Sequence, residues 1–548
     1  MTQLKASSLL IVTVAVFTLA TGCTKISTQT SHASAGNPWT KHGILRVAAI
    51  DEPDNLDPMV GNQQAEVDLS LLWGSYLYRF NDRDEWVPEL ATEVPTLANG
   101  GISRDGLAFT YHLRRGVKWQ DGATFSADDV IFSWQQVMNP RNNVTSRGGY
   151  DDITRIEKKG PDTIVVHLRK PYAPFLSAFF SMGGTPMCIL PKHLLSRYAD
   201  LNRIPYNLHP IGTGPFMVQS YEKGNIITFV ANPSYFRGPP KIQKIYWHFI
   251  PDSNTLMTQL RTHEIDAWFA SISQYLPTLQ NISGIRLFFT PLTAYSMLGF
   301  NVSRPMLRDK IVRQALAYAV DRPSIADKVY HKVRQLQYTD QPRFLWAYNP
   351  NTRHYDYDPQ RAARMLEMDG WKLQSDGYRH RNGQRLTVQI VTTPGGSGAD
   401  NVIIQQSWRR IGVDAPIKVV SIPLYFATYG AGGIIQTGNF DVGYFGWYNG
   451  ADPDDSLLWM CDQMPPNGQN AYRFCNHELD AQEQIALTAY DQATRKRAYF
   501  KIQDILTEEE PVIFMLDSRR ISSLNTDFKN YKPSHAVSTL WNPWEWEI

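Results

Sequence analysis

The stretch DGLAFTYHLRRGVKWQDGATFSADDV, residues 105–130, decides the fold. Its residues 108–113 alternate between apolar and polar side chains, which is typical of a half-exposed β-strand. Ser126 is a natural N-cap and Asp129 stands at the third helical position, so the two form a capping box. The apolar spacing that follows predicts a helix that ends before Asn139 and its following proline. This stretch therefore predicts a strand, a turn and a helix in close succession.

The same alternation of strands and helices continues in both directions from this stretch. Predicted strands lie at residues 44–50, 163–168, 225–230, 245–250, 294–300, 386–392, 417–422 and 441–447. Predicted helices lie at residues 67–77, 309–320, 358–368, 399–411, 479–487 and 494–508. This order predicts a mixed α/β protein with a largely parallel sheet in its second half. A chain of 548 residues is too long for one ordinary core, so we expect at least two domains.

The composition excludes several classes of function. Apolar residues make up 43% of the chain and charged residues 19%, which is typical of a globular protein. The net charge of +2 gives no basic field for nucleic acid. The chain is rich in aromatic residues, with 15 Trp, 27 Tyr and 24 Phe. Such side chains suit a site that grips an organic ligand, although most of them must fill the core.

The N-terminus has the pattern of an export signal. Residues 1–22 combine an early Lys5 with an apolar run at 9–20 that is too short to span a bilayer, which predicts a signal peptide. The residues before Cys23 resemble a lipoprotein processing site, so Cys23 is a candidate for lipidation, with simple secretion as the alternative. Residues 23–42 predict a flexible tether.

Two of the three other cysteines form a candidate pair, and the third is isolated in the sequence. Cys461 and Cys475 flank a Pro-Pro-Asn-Gly turn, and an exported protein favours a disulfide between them, with free thiols as the alternative. A zinc site there is the weaker hypothesis, because only His477 lies nearby and zinc needs four ligands. Cys188, between two apolar residues, indicates a buried small hydrophobe.

Several motifs in a fixed order resemble the peptide- and nickel-binding proteins of bacterial ABC importers, the extracellular solute-binding proteins of family 5. The strongest is residues 105–130, which match the family's strand, Leu-Arg-x-Gly-Val, Asp-Gly and helix-opening Ala-x-Asp-Val pattern. Further matches are residues 88–91, 212–216, 232–235, 260–266, 300–301, 312–322, 369–371 and 452–456. The resemblance extends from about residue 44 to the C-terminus.

The resemblance implies a two-lobed α/β fold of the periplasmic-binding-protein type II, with the ligand in a cleft between the lobes. The first lobe, which carries an extra subdomain, then covers residues 43–290 and the second covers 291–511. Residues 512–548 return to the first lobe. Chain crossings near 290–291 and near Pro511 would act as hinges, an arrangement that permits closure around a ligand.

The resemblance also implies where the ligand binds. In peptide-binding relatives the ligand lies extended and pairs with main-chain groups as an added strand. The matching segment is residues 445–450, where Gly446 allows a close approach and Trp447 and Tyr448 offer apolar faces. The alternative is that both aromatics belong to the core. Further cleft-edge candidates are Asn55, Leu56, Asp57, Tyr295 and Ser296.

One departure from the family pattern bears on the ligand. Peptide binders of this family often place an aspartate where this chain has Asn449, and that aspartate pairs with the ligand's α-ammonium. Asn449 can accept a hydrogen bond but has no charge to offset a buried ammonium. Asp452 could take this role if the loop is shifted, or it could simply cap the Asp-Pro turn.

We therefore expect a binding protein that delivers peptides to ABC permease subunits in the membrane, and no enzyme. The chain has no Gly-x-Ser-x-Gly, no His-Glu-x-x-His, no Walker loop and no Rossmann glycine triplet. We expect no cofactor, no bound metal and no nucleic-acid partner, and a monomer located in the periplasm or on the outer face of the cell membrane. The alternatives are a binding protein for another solute, such as a sugar, an opine-like conjugate or a nickel chelate, or a tethered surface protein without a transport role. The 13 histidines are scattered, which disfavours nickel.

Overall fold

A computed structural model describes residues 36–61, 63–394, 398–536 and 538–548. The predicted signal peptide, Cys23 and residues 23–35 of the predicted tether lie outside the described residues. None of the helices within these ranges is long and apolar enough to cross a membrane.

The first half of the chain contains ten strands and six α-helices within the described ranges. The strands are β1 Ile44–Ala49, β2 Tyr78–Phe80, β3 Trp86–Pro88, β4 Ala108–His112, β5 Ile153–Lys158, β6 Thr163–Leu168, β7 Phe216–Glu222, β8 Ile226–Ala231, β9 Lys244–Phe249 and β10 Ala267–Ser271. The helices are α1 Gln64–Trp73, α2 Ala127–Met138, α3 Phe175–Ala178, α4 Lys192–Leu195, α5 Ser253–Arg261 and α6 Leu276–Leu279. Short 3₁₀ turns lie at Pro205–Asn207 and Ser273–Tyr275.

The second half adds eight strands and nine α-helices to this set. The strands are β11 Ile285–Phe300, β12 Lys372–Leu373, β13 Arg379–Arg381, β14 Gln384–Arg385, β15 Ile390–Thr392, β16 Ile417–Val419, β17 Val442–Tyr448 and β18 Val512–Asn525. The helices are α7 Lys310–Ala319, α8 Arg322–Lys328, α9 Pro359–Met368, α10 Gly398–Arg410, α11 Ile422–Phe426, α12 Ile434–Thr437, α13 Ser456–Trp459, α14 His477–Thr488 and α15 Gln492–Glu509. Further 3₁₀ turns lie at Tyr429–Ala431, Cys461–Gln463 and Pro543–Glu545.

The predicted capping box of α2 is present. The Ser126 side chain accepts a hydrogen bond from the Asp128 amide at 3.3 Å, and the Asp129 carboxylate accepts one from the Ser126 amide at 2.9 Å. The helix predicted at residues 67–77 begins and ends earlier, at Gln64–Trp73, and the Gly74 amide closes its last turn on the Ser70 carbonyl at 2.7 Å. The chain leaves the helix at Gly74 and enters β2 at Tyr78.

One sheet runs through the whole fold. Its ten strands have the order β16-β15-β17-β11-β18-β10-β1-β9-β8-β7. Strands β11 and β18 are antiparallel neighbours in its middle and are 16 and 14 residues long. Ile285 at one end of β11 pairs with Asn525, and Gly299 at the other end pairs with Val512. Two long strands therefore connect the two halves of the protein.

Each half has its own apolar core. The larger core packs the first-half strands with the C-terminal residues Trp546 and Ile548, and the Gly43 amide donates to the Ile548 carbonyl at 3.0 Å. A second core includes Leu298, Val312 and Met515. The C-terminal tail thus packs on the first half, after β18 has crossed from the second.

Candidate functional site

Strand β17 is paired along its whole length on only one side. It runs antiparallel to β11, with Val442 opposite Phe300 and Tyr448 opposite Ala294. On its other side it pairs with β15 only at Val442 and Gly443. Within the described ranges no strand pairs with that side beyond Gly443. Residues 444–448 therefore present an edge that is not paired with another strand, although the Tyr425 hydroxyl donates to the Tyr444 carbonyl at 3.1 Å. An unpaired edge is the main-chain arrangement that a peptide needs to add as a further strand.

Two hydrogen bonds show which residues of β17 point their main-chain groups toward this open edge. The Asn449 amide donates toward β11, to the Thr293 carbonyl at 2.7 Å. The Val442 amide donates in the opposite direction, away from β11, to the Gln389 carbonyl at 3.0 Å. Because strand geometry repeats every two residues, Gly446 and Tyr448 share the outward direction of Val442. Their amides and carbonyls line the open edge, and Gly446 is exposed.

A cavity of about 690 Å³ lies beside this edge within the second half of the fold. Aromatic and apolar side chains line much of its wall, namely Phe426, Tyr429, Ile435, Phe445, Trp447 and Leu458. Phe445 is held by stacking on Tyr472, with ring centroids 5.7 Å apart. The Nε1 of Trp447 is buried and has no hydrogen-bond partner among the described residues.

Charged groups from α1 and β18 lie near Tyr448, whose side chain is on the opposite face of β17 from Trp447. Tyr448 is 55% exposed. Arg520 on β18 forms an ion pair with Asp68 on α1, with Nη1 and Oδ2 3.2 Å apart. Burial works to lower the pKa of Arg520, but the Asp68 carboxylate and the Tyr448 hydroxyl raise it, and the net shift is upward. A guanidinium–carboxylate pair thus lies near Tyr448, where helix α1 meets the crossing strand β18.

Asn449 has a structural role. Its side chain is buried, and its Nδ2 donates to the Asp340 carbonyl at 2.9 Å and to Gln341 Oε1 at 3.2 Å. These bonds fix the end of β17 to the loop at residues 340–341. Asn449 therefore holds the strand end in place rather than presenting a group toward the open edge.

Asp452 is not a free carboxylate either. Arg495 binds it through two hydrogen bonds, of 2.8 Å from Nη1 and 2.6 Å from Nη2. A bidentate pair of this kind already compensates the charge. The Oδ1 of Asp452 also accepts the Asp454 amide at 3.1 Å, so Asp452 caps the turn that follows Pro453.

The remaining predicted site residues are mostly internal. Leu56 is fully buried and Tyr295 is 1% exposed, so both side chains belong to the core rather than to a cleft surface. Ser296 is buried and its hydroxyl donates to the Leu516 carbonyl at 3.3 Å, while Asn55 accepts the Asp57 amide at 2.7 Å. Asp57 itself is buried, and this burial raises its pKa to about 6. Gly446, Trp447 and Tyr448 thus lie together at the open edge, and Tyr295 and Ser296 lie beside them on β11, opposite Trp447 and Gly446. Asn55, Leu56 and Asp57 lie in the first half, before α1.

The two halves also touch directly beyond the end of β17. The Ala451 amide donates to the Gly183 carbonyl at 2.6 Å, and the Tyr172 hydroxyl donates to Asp454 Oδ2 at 3.2 Å. Gly450 has a φ of +72°, and a Cβ at this position would overlap the Gly183 carbonyl oxygen. Only glycine fits this position without displacing its neighbour.

We expect Gly450→Ala to lower the free energy of unfolding by more than the ~1–2 kcal/mol that a left-handed backbone alone costs alanine, because the new methyl group also displaces Gly183. Gly224→Ala is the matched control, since Gly224 has a φ of +75° with open space around it. Chemical denaturation of both variants separates the two effects. Equal losses of unfolding free energy in the two variants would show that the overlap with Gly183 adds nothing to the cost of the left-handed backbone.

The structure contains a buried acidic cluster that the sequence analysis does not predict. Asp340, Asp455 and Glu483 are each no more than 1% exposed. Burial raises the pKa of all three carboxyl groups, and Asp340 and Glu483 raise that of Asp455 further. Neither carboxyl oxygen of Glu483 has a hydrogen-bond partner among the described residues. Since the three residues are far apart in sequence, no local motif reveals the cluster.

Cys461 and Cys475 form a disulfide, and Cys188 is a buried free thiol. The disulfide closes a loop whose residues 466–469 form part of the cavity wall beside Trp447. The covalent link therefore holds one side of the candidate site.

Reduction of this disulfide is expected to lower the free energy of unfolding by about 3 kcal/mol, the chain-entropy value for a loop of about 15 residues. Melting curves with and without a reductant measure the effect. The Cys461→Ser variant is the control, because its melting temperature is expected to be low and insensitive to the reductant. A wild-type curve that does not respond to reduction would contradict this expectation.

Comparison with known proteins identifies the class. Residues 85–469 match the family model described as "Bacterial extracellular solute-binding proteins, family 5 Middle". The chain belongs to this family of extracellular solute-binding proteins. Membership confirms the predicted two-lobed α/β binding fold, the expected place outside the cytoplasm, and the prediction that the chain is not an enzyme.

Relatives within the family differ in their ligands. The chain is 26% identical over 553 residues to the oligopeptide-binding protein AppA of Bacillus subtilis, covering 100% of this chain and 98% of that protein. It is 26% identical to the dipeptide-binding protein of Escherichia coli, covering 80% and 83% of the two chains. The structure of NikZ from Campylobacter jejuni in complex with Ni(L-His) is similar, with a TM-score of 0.76 and 28% identity over 93% of this chain and 100% of that one.

Proposed function

We propose that the protein is the substrate-binding component of an ABC importer for peptides, which it delivers to permease subunits in the membrane. The open edge of β17 carries this proposal. A peptide that lies along residues 444–448 would exchange main-chain hydrogen bonds with Gly446 and Tyr448, which gives affinity without reading side chains. An apolar ligand side chain would enter the aromatic cavity beside Trp447, and the exposed Tyr448 would contact the other face of the ligand. The two peptide-binding relatives support the same ligand class.

The partners of Asn449 and Asp452 bear on whether the site binds the charged N-terminus of a peptide. Asn449 and Asp452 are both engaged by other residues of the chain. We therefore propose that binding relies on the main chain and on apolar side chains, and that a free α-ammonium group is not required. N-acetylated peptides would then bind about as tightly as peptides with a free N-terminus.

A thermal-shift screen tests the proposal. The protein is mixed with di- to penta-peptides in free and N-acetylated forms, with oligosaccharides and opine-like conjugates, and with nickel–histidine, the ligand of the NikZ relative. A ligand present at 100 times its dissociation constant adds about 2.7 kcal/mol to the stability of the folded state. We expect stabilisation by both forms of a peptide. If only a non-peptide solute stabilised the protein, the class of that solute would replace peptides as the proposed substrate. If no solute stabilised it, the alternative of a tethered surface protein without a transport role would be favoured.

We further propose the anchoring and hinge arrangement that the sequence predicts. Lipidation at Cys23 would hold a monomer at the membrane surface, and Cys23→Ser would then release the protein from the membrane fraction. Lobe boundaries at 43–290 and 291–511 place one hinge inside β11, where its pairing register with β18 shifts between Pro291 and Tyr295. Such an irregularity locally weakens the ladder and gives the strand a place to bend.

A further inference from the structure

The disulfide of the second half lies among other metal-binding side chains. Ligand atoms of Cys461, Cys475 and His477 all lie within 4.8 Å of one another. Cys461 Sγ is 3.9 Å from His477 Nδ1, and this nitrogen is 3.3 Å from Asp480 Oδ2. Asp480 also accepts the Cys461 amide at 3.0 Å through its other oxygen, which fixes the carboxylate in this position.

Two of these separations are close to those of a tetrahedral zinc site. With Zn–S bonds of about 2.3 Å and Zn–N or Zn–O bonds of about 2.0–2.1 Å, neighbouring ligand atoms lie roughly 3.4–3.8 Å apart. The distance from Cys461 to His477 and the distance from His477 to Asp480 are already close to these values. The two sulfur atoms are bonded to each other and must separate before both can bind a metal ion.

We propose that Cys461, Cys475, His477 and Asp480 form a zinc-binding site when the disulfide is reduced, so that the metal replaces the covalent link. A dithiol supplies the two electrons: it becomes a disulfide, the Cys461–Cys475 bond breaks, and both cysteines gain a proton. Zinc then binds the two thiolates and two protons leave to solvent. Soft thiolates with one imidazole and one carboxylate form a donor set that suits zinc.

The location of the site permits this exchange. Cys475 and His477 are exposed and Cys461 is half-buried, so a reductant and a metal ion can both reach the ligands. The same loop contributes residues 466–469 to the wall of the cavity beside Trp447. Zinc would thus hold the loop in the reduced protein as the disulfide holds it in the oxidised protein. This inference concerns a different site from the strand edge and stands independently of the proposed ligand.

The test uses the full protein reduced with a phosphine, which takes oxygen from water to become a phosphine oxide and leaves two thiols. Excess reductant is removed before Zn²⁺ is titrated in, and Co²⁺ serves as a spectroscopic probe because thiolate ligation gives a charge-transfer absorption. We expect one Zn²⁺ per reduced chain, no stoichiometric binding to the oxidised chain, and a melting temperature that Zn²⁺ restores toward the oxidised value.

His477→Ala is the decisive variant, since it leaves both cysteines and the oxidised protein's disulfide in place. It is expected to weaken zinc binding by the reduced chain at least 10-fold, and Asp480→Asn is expected to weaken it as well. Cys188→Ser is the matched control, because this thiol is buried in the first core, and it is expected to bind zinc as the wild type does. Circular dichroism of the same samples reports on folding. No zinc binding by the reduced wild type, equal binding by His477→Ala, or a reduced chain that stays unfolded with zinc would each overturn the proposal.

Discussion

Trp447→Ala is expected to weaken peptide binding about 10- to 100-fold, the loss that truncating an aromatic contact at a binding hot spot produces. The ring lines the cavity beside the open edge of β17, and its buried Nε1 has no partner among the described residues. Removing the ring takes away an apolar wall and a hydrogen-bond donor at once. Isothermal titration calorimetry with a peptide found in the screen measures the loss.

The control for Trp447 is Met368→Ala. Met368 is 88% exposed on α9, so its removal deletes apolar surface that is outside the cavity. It is expected to bind peptide as the wild type does. If Trp447→Ala unfolded at ambient temperature, or bound peptide with unchanged affinity, the ring would be a core residue and the proposed contact would be absent.

Glu483→Met is expected to stabilise the protein at neutral pH by about 2 kcal/mol, since it removes a buried carboxyl group that has no hydrogen-bond partner among the described residues. Burial, and then the carboxylates of Asp454 and Asp340, raise the pKa of Glu483 well above its usual range. In the unfolded chain this group titrates near its ordinary pKa of about 4.3. Between the two pKa values the folded state holds a proton that the unfolded state has lost, so wild-type stability falls as the pH rises through this window.

The gain from Glu483→Met is therefore expected to be larger at pH 8 than at pH 4. Denaturation curves at both pH values test this, and Glu478→Met on the same helix is the control. Glu478 is exposed and paired with Lys501, so its replacement is expected to change stability by no more than about 0.5 kcal/mol. A loss of stability at both pH values in Glu483→Met would show that the carboxyl group makes a favourable interaction.

Local features of the fold could be predicted from the sequence because their causes are local. The capping box of Ser126 and Asp129 is set by residues three apart, and the structure contains it. Asp358, the first residue of the helix predicted at 358–368, likewise caps α9 by accepting the Arg361 amide at 2.8 Å. The end of α1 was predicted less well. The helix stops where the Gly74 backbone turns, and Gly74 packs against the Cys188 side chain, which is 114 positions away in the chain.

The site could be predicted only in part, because some of its contacts are set by neighbouring residues and others by residues far away in the chain. The strand at residues 441–447 and its Gly-Trp-Tyr end are visible as a local pattern. The partners that occupy Asn449 and Asp452 come from residues 340–341 and from Arg495, which no local pattern connects to them. The side chains of Leu56 and Tyr295 are buried, and apolar residues look alike in sequence whether they line a cleft or a core. Which edge of β17 stays unpaired depends on the order of the strands in the sheet, and no local pattern predicts that order.

Residue-resolved hydrogen–deuterium exchange, measured with and without a bound peptide, tests the central claim most directly. Peptide binding is expected to slow exchange at the Gly446 and Tyr448 amides, which point toward the open edge. The Asn449 amide, already bonded to the Thr293 carbonyl at 2.7 Å, is predicted to exchange slowly in both states. A bound peptide that leaves exchange at Gly446 and Tyr448 unchanged would contradict the claim that the ligand pairs with the edge of β17.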